Sequence, residues 1–152
     1  MLNTFLLANA AATLYMVGLI WMVQIVHYPL FDGVGVAEFA AYEARHTRGM
    51  TWIVLPPMLV ELVTAIGLVV LVSQGTSQPT VLPLWMAWGG LGLVLFLWAV
   101  TFVVSVPQHA KLAEGFDPRA YRLLVDTNWL RTAAWTLRGG LVVWMLALVM
   151  RG

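Results

Sequence analysis

Four apolar runs, at about 2–26, 50–73, 82–106 and 129–150, fill most of the chain and are separated by short polar segments. Each reaches the ~20 residues that a helix needs to cross a hydrocarbon core about 30 Å thick. The pattern predicts an all-α integral membrane protein built as a four-transmembrane-helix bundle. No soluble domain remains once the runs are removed, so 1–152 reads as a single membrane domain. Composition points the same way. Of the 152 residues 61% are hydrophobic and 10% charged, with a mean hydropathy of +0.86, where soluble domains carry about 25% charge.

The segments between the runs also predict structure. Pro29 ends the first span and Pro107 the third, because proline lacks the amide a helix interior needs. Residues 36–48 have a helical face of Phe39, Tyr42, Glu43 and His46, at i, i+3 and i+4 spacing, with Gly49 set before the second span. Asp117-Pro118 has the form of an N-cap with proline in the first helical position. A helix through about residue 125 should follow, with Asp126 or Thr127 capping the last span. Two short cytoplasmic surface helices are therefore expected. Pro56-Pro57 should kink the second span. Gly89-Gly90-Leu91-Gly92 and Gly139-Gly140 offer small faces for close helix packing.

Charge sets the expected orientation. Arg45, Arg48, Lys111, Arg119, Arg122 and Arg131 fall on one side and Arg151 on the other. Basic residues favour the cytoplasmic side, so both termini are expected outside, in a bacterial inner membrane. The first run lacks a basic segment before it and reads as a permanent span, not a cleaved leader. The net charge of +1 gives no reason to expect nucleic acid, and the absence of cysteine removes thiolate ligands, Cys nucleophiles and disulfides.

The informative positions are the polar ones inside the runs. Glu61 and Arg138 interrupt the second and fourth runs at mid-depth, where a charge costs roughly 2.5–3.5 kcal/mol on insertion scales. Each lies about 15–16 Å from the cytoplasmic end of its span at 1.5 Å per residue. Equal depth predicts that they face one another. Asn9, Thr13, Gln24 and His27 form a stripe on the first span, and Asn128, Arg131, Thr132, Trp135 and Arg138 a face on the fourth. Interhelical hydrogen bonding explains Asn9 and Thr13; Gln24 and His27, near the cytoplasmic mouth, favour the wall of a polar cavity. Arg131 is placed to snorkel to the interface. Trp52, Trp129, Trp85 and Trp144 read as interfacial anchors. Trp21, Trp98 and Trp135 lie deeper and suit either core packing or an aromatic ligand.

All three histidines, His27, His46 and His109, fall at the predicted cytoplasmic end, and Glu43 stands three residues before His46. Imidazoles from three elements at one depth fit a metal site for Fe, Cu or Zn, or a haem; they also fit an interfacial polar cluster in a wet loop region. The candidate metal ligands are thus His27, His46, His109 and Glu43. Gln24, Tyr28, Asn128 and Trp135 are candidates to hold a cofactor, and Glu61, Arg138 and Arg131 to set the charge of a reacting site.

The segments Val106-Pro107-Gln108-His109…Leu112 and Asn128-Trp129-Leu130-Arg131…Trp135…Arg138 resemble small bacterial four-span membrane proteins of unknown function, which are loosely similar to the anthrone-oxygenase-like family. Gln108-His109 stands where that group has Asn after the proline. The resemblance implies oxygenation of a polycyclic phenolic substrate. Two function classes follow. One is a membrane oxidoreductase acting on a hydrophobic aromatic or quinone-like molecule in a pocket at the cytoplasmic side. The other is a non-catalytic subunit or scaffold of a larger membrane complex, for which Gly-rich faces and abundant Trp also serve. Membrane lipid is the expected surround in both, with a homo-oligomer or membrane complex as the expected assembly.

Overall fold

A computed structural model describes residues 1–75 and 82–151. The elements are α1 (Leu2–Met22), a π-helical turn (Val23–His27), a 3-10 segment (Tyr28–Gly33), α2 (Val36–Ser73), α3 (Leu84–Val100), a second π-helical turn (Thr101–Ser105), α4 (Val106–Leu112) and α5 (Pro118–Arg151). The stretches Leu2–Gly33, Val36–Ser73, Leu84–Leu112 and Pro118–Arg151 are each long and apolar enough to cross a membrane. They form a ring in which α1 packs on α2 and α5, and α3 packs on the same two helices from the opposite corner.

The bundle is polar inside and apolar outside. Asn9, Thr13, Gln24, Glu43, Glu61, Asn128, Arg131 and Arg138 are buried, whereas Leu7, Ile25, Val63, Val103 and Leu137 are exposed. A hydrocarbon surround favours such an arrangement, since it satisfies apolar side chains and leaves polar ones to find partners within the protein. Trp52, Trp85, Trp129 and Trp144 are all exposed.

Two expectations about the loops are corrected. Residues 36–48 do not form a separate surface helix; they are the first turns of α2, which runs unbroken through Gly49, Pro56 and Pro57. Likewise 118–125 are the first turns of α5. Gly costs a helix only about 1 kcal/mol, and the Phe39 and Glu43 face is fully buried, so packing outweighs the local signal. Thr127 does not cap the last span, and its hydroxyl behaves as those of Thr47 and Thr51 do. Each hydroxyl donates to the carbonyl four residues back, on Glu43, Thr47 and Leu123, as threonines do inside helices. Asp117 does act as the N-cap. Its carboxylate accepts from the Arg119 and Ala120 amides at 2.7 and 3.3 Å, and these bonds hold its pKa below the ordinary value.

The prolines act differently from simple terminators. Tyr28, just before Pro29, donates its amide to Val23, and Val106, just before Pro107, donates to Thr101. Both are i→i−5 bonds. Pro29 and Pro107 deprive the carbonyls of Ile25 and Val103 of their i−4 donors, and the chain widens into a π turn at each place. His27 and Ser105 are the last residues of these turns. The glycine faces are used selectively. A methyl at Gly90 would meet Arg138 and one at Gly139 would meet Val17, while Gly89, Gly92 and Gly140 face open space.

Candidate functional site

Two polar clusters occupy the interior. The deeper one joins all four corners of the ring. Arg138 Nε donates to Glu61 Oε1 at 2.9 Å, one terminal nitrogen donates to the Gly90 carbonyl at 2.6 Å and the other to Asn9 Oδ1 at 3.0 Å. Glu61 also accepts from the Thr13 hydroxyl at 2.7 Å and from Trp135 Nε1 at 3.1 Å. Asn9 in turn donates to Thr64. The expected Glu61–Arg138 pairing is present, and every side-chain nitrogen of Arg138 and both carboxylate oxygens of Glu61 have a partner. Such a network suits a structural clamp: it satisfies two charges that would be expensive in hydrocarbon.

The second cluster lies at the end of the bundle that carries the 28–35 and 113–117 turns. His27 Nε2 and His46 Nδ1 are 2.8 Å apart. His109 Nδ1 lies 2.6 Å from Glu43 Oε1, and His109 Nε2 lies 3.1 Å from the Tyr28 hydroxyl. The three imidazoles thus converge, as their common depth predicts. One ligand atom from each of Glu43, His46 and His109 lies within 4.8 Å of the others. Glu43 is fully buried, and its Oε2 has no hydrogen-bond partner among the described residues. Two imidazoles, one carboxylate and a buried oxygen left unsatisfied form a donor set that could hold a metal ion. His27 stands behind His46. Its Nε2 lies within hydrogen-bond distance of His46 Nδ1 and outside the converging set of Glu43, His46 and His109.

Phe31 closes this cluster from below, edge-on to His27 and His46 at centroid distances of 5.3 and 5.1 Å. Phe39 and Tyr42 pack on Phe31 in turn. These aromatic contacts hold the His27 and His46 rings in place.

Between the histidines and the bundle centre lies a cavity of about 420 Å³, lined mainly by Met16, Ile20, Val54, Met58, Phe102 and similar side chains. Its polar lining includes Tyr28, His46, His109, Ser105 and Arg131. Exposed Leu55 and Phe102, from α2 and the second π turn, are also on its wall.

Arg131 departs from expectation. It does not snorkel outward but is buried, donating to Asn128 Oδ1 at 3.0 Å and reaching Ser105 Oγ at 3.5 Å. Its guanidinium carbon lies 5.2 Å over the Trp135 ring. The Trp135 face and the Asn128 carbonyl oxygen hold it inward more strongly than a distant interface could. Asn128 donates to Gln24 Oε1 at 2.9 Å, and Gln24 donates to the Val125 carbonyl at 3.4 Å. Gln24 and His27 are therefore bound to other side chains and do not line the cavity. Nor do Trp21, Trp98 and Trp135: Trp21 donates to Thr136, Trp135 to Glu61, and Trp98 stacks on Phe102.

Sequence reasoning did not find Ser105, the Gly90 carbonyl or the Tyr28–His109 contact. A proline two residues after Ser105 and one after Tyr28 was the available signal, since it marks the turns that aim both residues inward. No family model, curated protein or solved structure matches the chain.

Proposed function

We propose that this chain is a membrane-embedded, metal-dependent oxidoreductase that acts on a hydrophobic aromatic or quinone-like molecule. The observation that carries the reading is the buried, unpartnered Glu43 oxygen converging with His46 and His109 beside an apolar cavity of about 420 Å³. Two histidines and one carboxylate are the ligand set of non-haem iron oxygenases and of some catalytic zinc sites, both of which keep open positions. Bound there, an iron or copper ion would supply one-electron chemistry beside the cavity. Glu43, His46 and His109 hold the ion, His27 orients His46, and Tyr28 faces His109.

An ion fits better than haem. The His46 and His109 ring centroids are 5.3 Å apart, whereas two imidazoles ligating opposite faces of one haem iron have centroids roughly 6 Å apart or more, from metal–nitrogen bonds of about 2.0–2.1 Å. The Glu61–Arg138 network belongs to the scaffold in this reading. Oxygenation of a polycyclic phenol, as the resemblance to the anthrone-oxygenase-like family implies, is compatible with a cavity of this size and lining. The exposed basic residues Arg45, Arg48, Lys111, Arg119 and Arg122 all fall toward the histidine end, which supports a cytoplasmic position for the site.

The test is oxygen uptake by protein purified in mild detergent and loaded with Fe(II), offered a panel of two- and three-ring phenols and hydroquinones that includes anthrone. Turnover that disappears in Glu43→Gln is expected. No turnover with any member by a fully loaded protein contradicts the catalytic reading and leaves metal binding to stand alone.

A further inference from the structure

Among the described residues, Arg131 is a buried cation without a counter-anion. The contrast with Arg138 is direct. Arg138 has the Glu61 carboxylate at 2.9 Å, whereas Arg131 forms no ion pair among the described residues. Its partners are neutral: the Asn128 amide, the Ser105 hydroxyl and the Trp135 face. Its Nε has no partner at all among the described residues. Only 6% of the residue is exposed. An isolated charge taken from water into such surroundings is strongly disfavoured unless something supplies the opposite sign.

The position of this cation shows where that supply comes from. Arg131 lines the cavity together with methionine, valine and leucine side chains. We infer that the cavity's ligand is an amphipathic anion: an aromatic or aliphatic body on the apolar wall, and an anionic oxygen, of the carboxylate, phenolate or enolate kind, received by the Arg131 guanidinium. Ser105 adds a hydroxyl beside the same cation, and the Tyr28 side chain lines the same cavity. A buried guanidinium with an unused N–H suits an oxyanion better than a neutral carbonyl, because only the anion supplies the opposite charge as well as the acceptor. A divalent ion on the single carboxylate of Glu43 would raise the local positive charge further. The inference deepens the cavity reading proposed above and rests on it, naming the ligand's charge where that reading names only its hydrophobicity.

The test uses the full chain in dodecylmaltoside and two probes of one shape, 2-naphthoate and its neutral counterpart 2-naphthylmethanol, titrated by isothermal calorimetry. Wild type is expected to bind the naphthoate about tenfold tighter or better, a difference of ~1.4 kcal/mol. Arg131→Gln is expected to bind both probes equally, at the affinity wild type has for the alcohol. Arg131→Lys keeps the charge and should keep part of the preference. Should Arg131→Gln not fold, the wild type alone decides through thermal unfolding, because a ligand raises Tm according to its affinity: the naphthoate should raise it more than the alcohol. Equal binding of both probes by wild type overturns the inference and leaves the cavity reading intact. A preference that survives in Arg131→Gln also overturns it. Binding of neither probe removes the cavity reading as well.

Discussion

Arg138 Nε lies 2.9 Å from Glu61 Oε1, with both side chains buried at the centre of the bundle. Every helix of the ring contributes to the pair, α1 through Asn9 and Thr13 and α3 through the Gly90 carbonyl. Removing one partner leaves the other charge and its satellites unsatisfied, at about 3–5 kcal/mol by the behaviour of buried pairs in soluble proteins. Glu61→Gln and Arg138→Gln are each expected to lower thermal stability in detergent sharply. The double variant should lose less than the sum, since coupled residues are not additive. Detergent melts that show strictly additive losses contradict a coupled clamp.

His27 touches Nδ1 of His46 at 2.8 Å and lies outside the set of ligand atoms that converge. It should orient the ligand without being one. His27→Gln is expected to weaken metal affinity about 10–100-fold, the usual effect of losing such a partner, while the metal-to-chain ratio at saturating metal stays as in wild type. A variant that cannot be saturated places His27 among the ligands themselves.

Two neighbouring glycines on α5 separate packing from propensity. A methyl at Gly139 would come within 3.0 Å of Val17 Cγ2 on α1, while one at Gly140 meets nothing within 4 Å. Gly139→Leu should wedge α1 from α5 and cost ~1–3 kcal/mol, as overpacking does. Gly140→Ala should be neutral or stabilising by up to about 1 kcal/mol. Melting curves of the two variants check this; equal losses contradict the helix contact at Gly139.

Some of this site was legible along the chain. Helical rise is fixed, so the depth of Glu61 and Arg138 could be counted and their pairing followed. The same holds for the convergence of His27, His46 and His109, each just beyond or before a span. What counting residues cannot supply is the rotation of one helix against another, or the direction a long side chain takes. Arg131 had an outward route by length alone, and only the Trp135 face and Asn128 turn it inward. Gln24 had a place on a cavity wall by periodicity, but pairs with Asn128 instead. The fused helices had a local signal against them, Gly49 and the capping residues at 126–127, which the buried face of Phe39 and Glu43 overrides. The π turns were the one missed feature with a readable cause: Pro29 and Pro107 each withhold a donor from the carbonyl four residues earlier, and that withheld bond sets where His27 and Ser105 point.

The most direct test of the metal site is elemental analysis of protein purified in mild detergent from metal-replete cells, for wild type and for Glu43→Gln, His46→Gln and His109→Gln. About one transition-metal ion per chain is expected in wild type, and a large loss in each of the three variants with the fold retained by circular dichroism. Wild-type protein without bound transition metal, or variants that hold as much as wild type, would contradict a metal centre built on Glu43, His46 and His109.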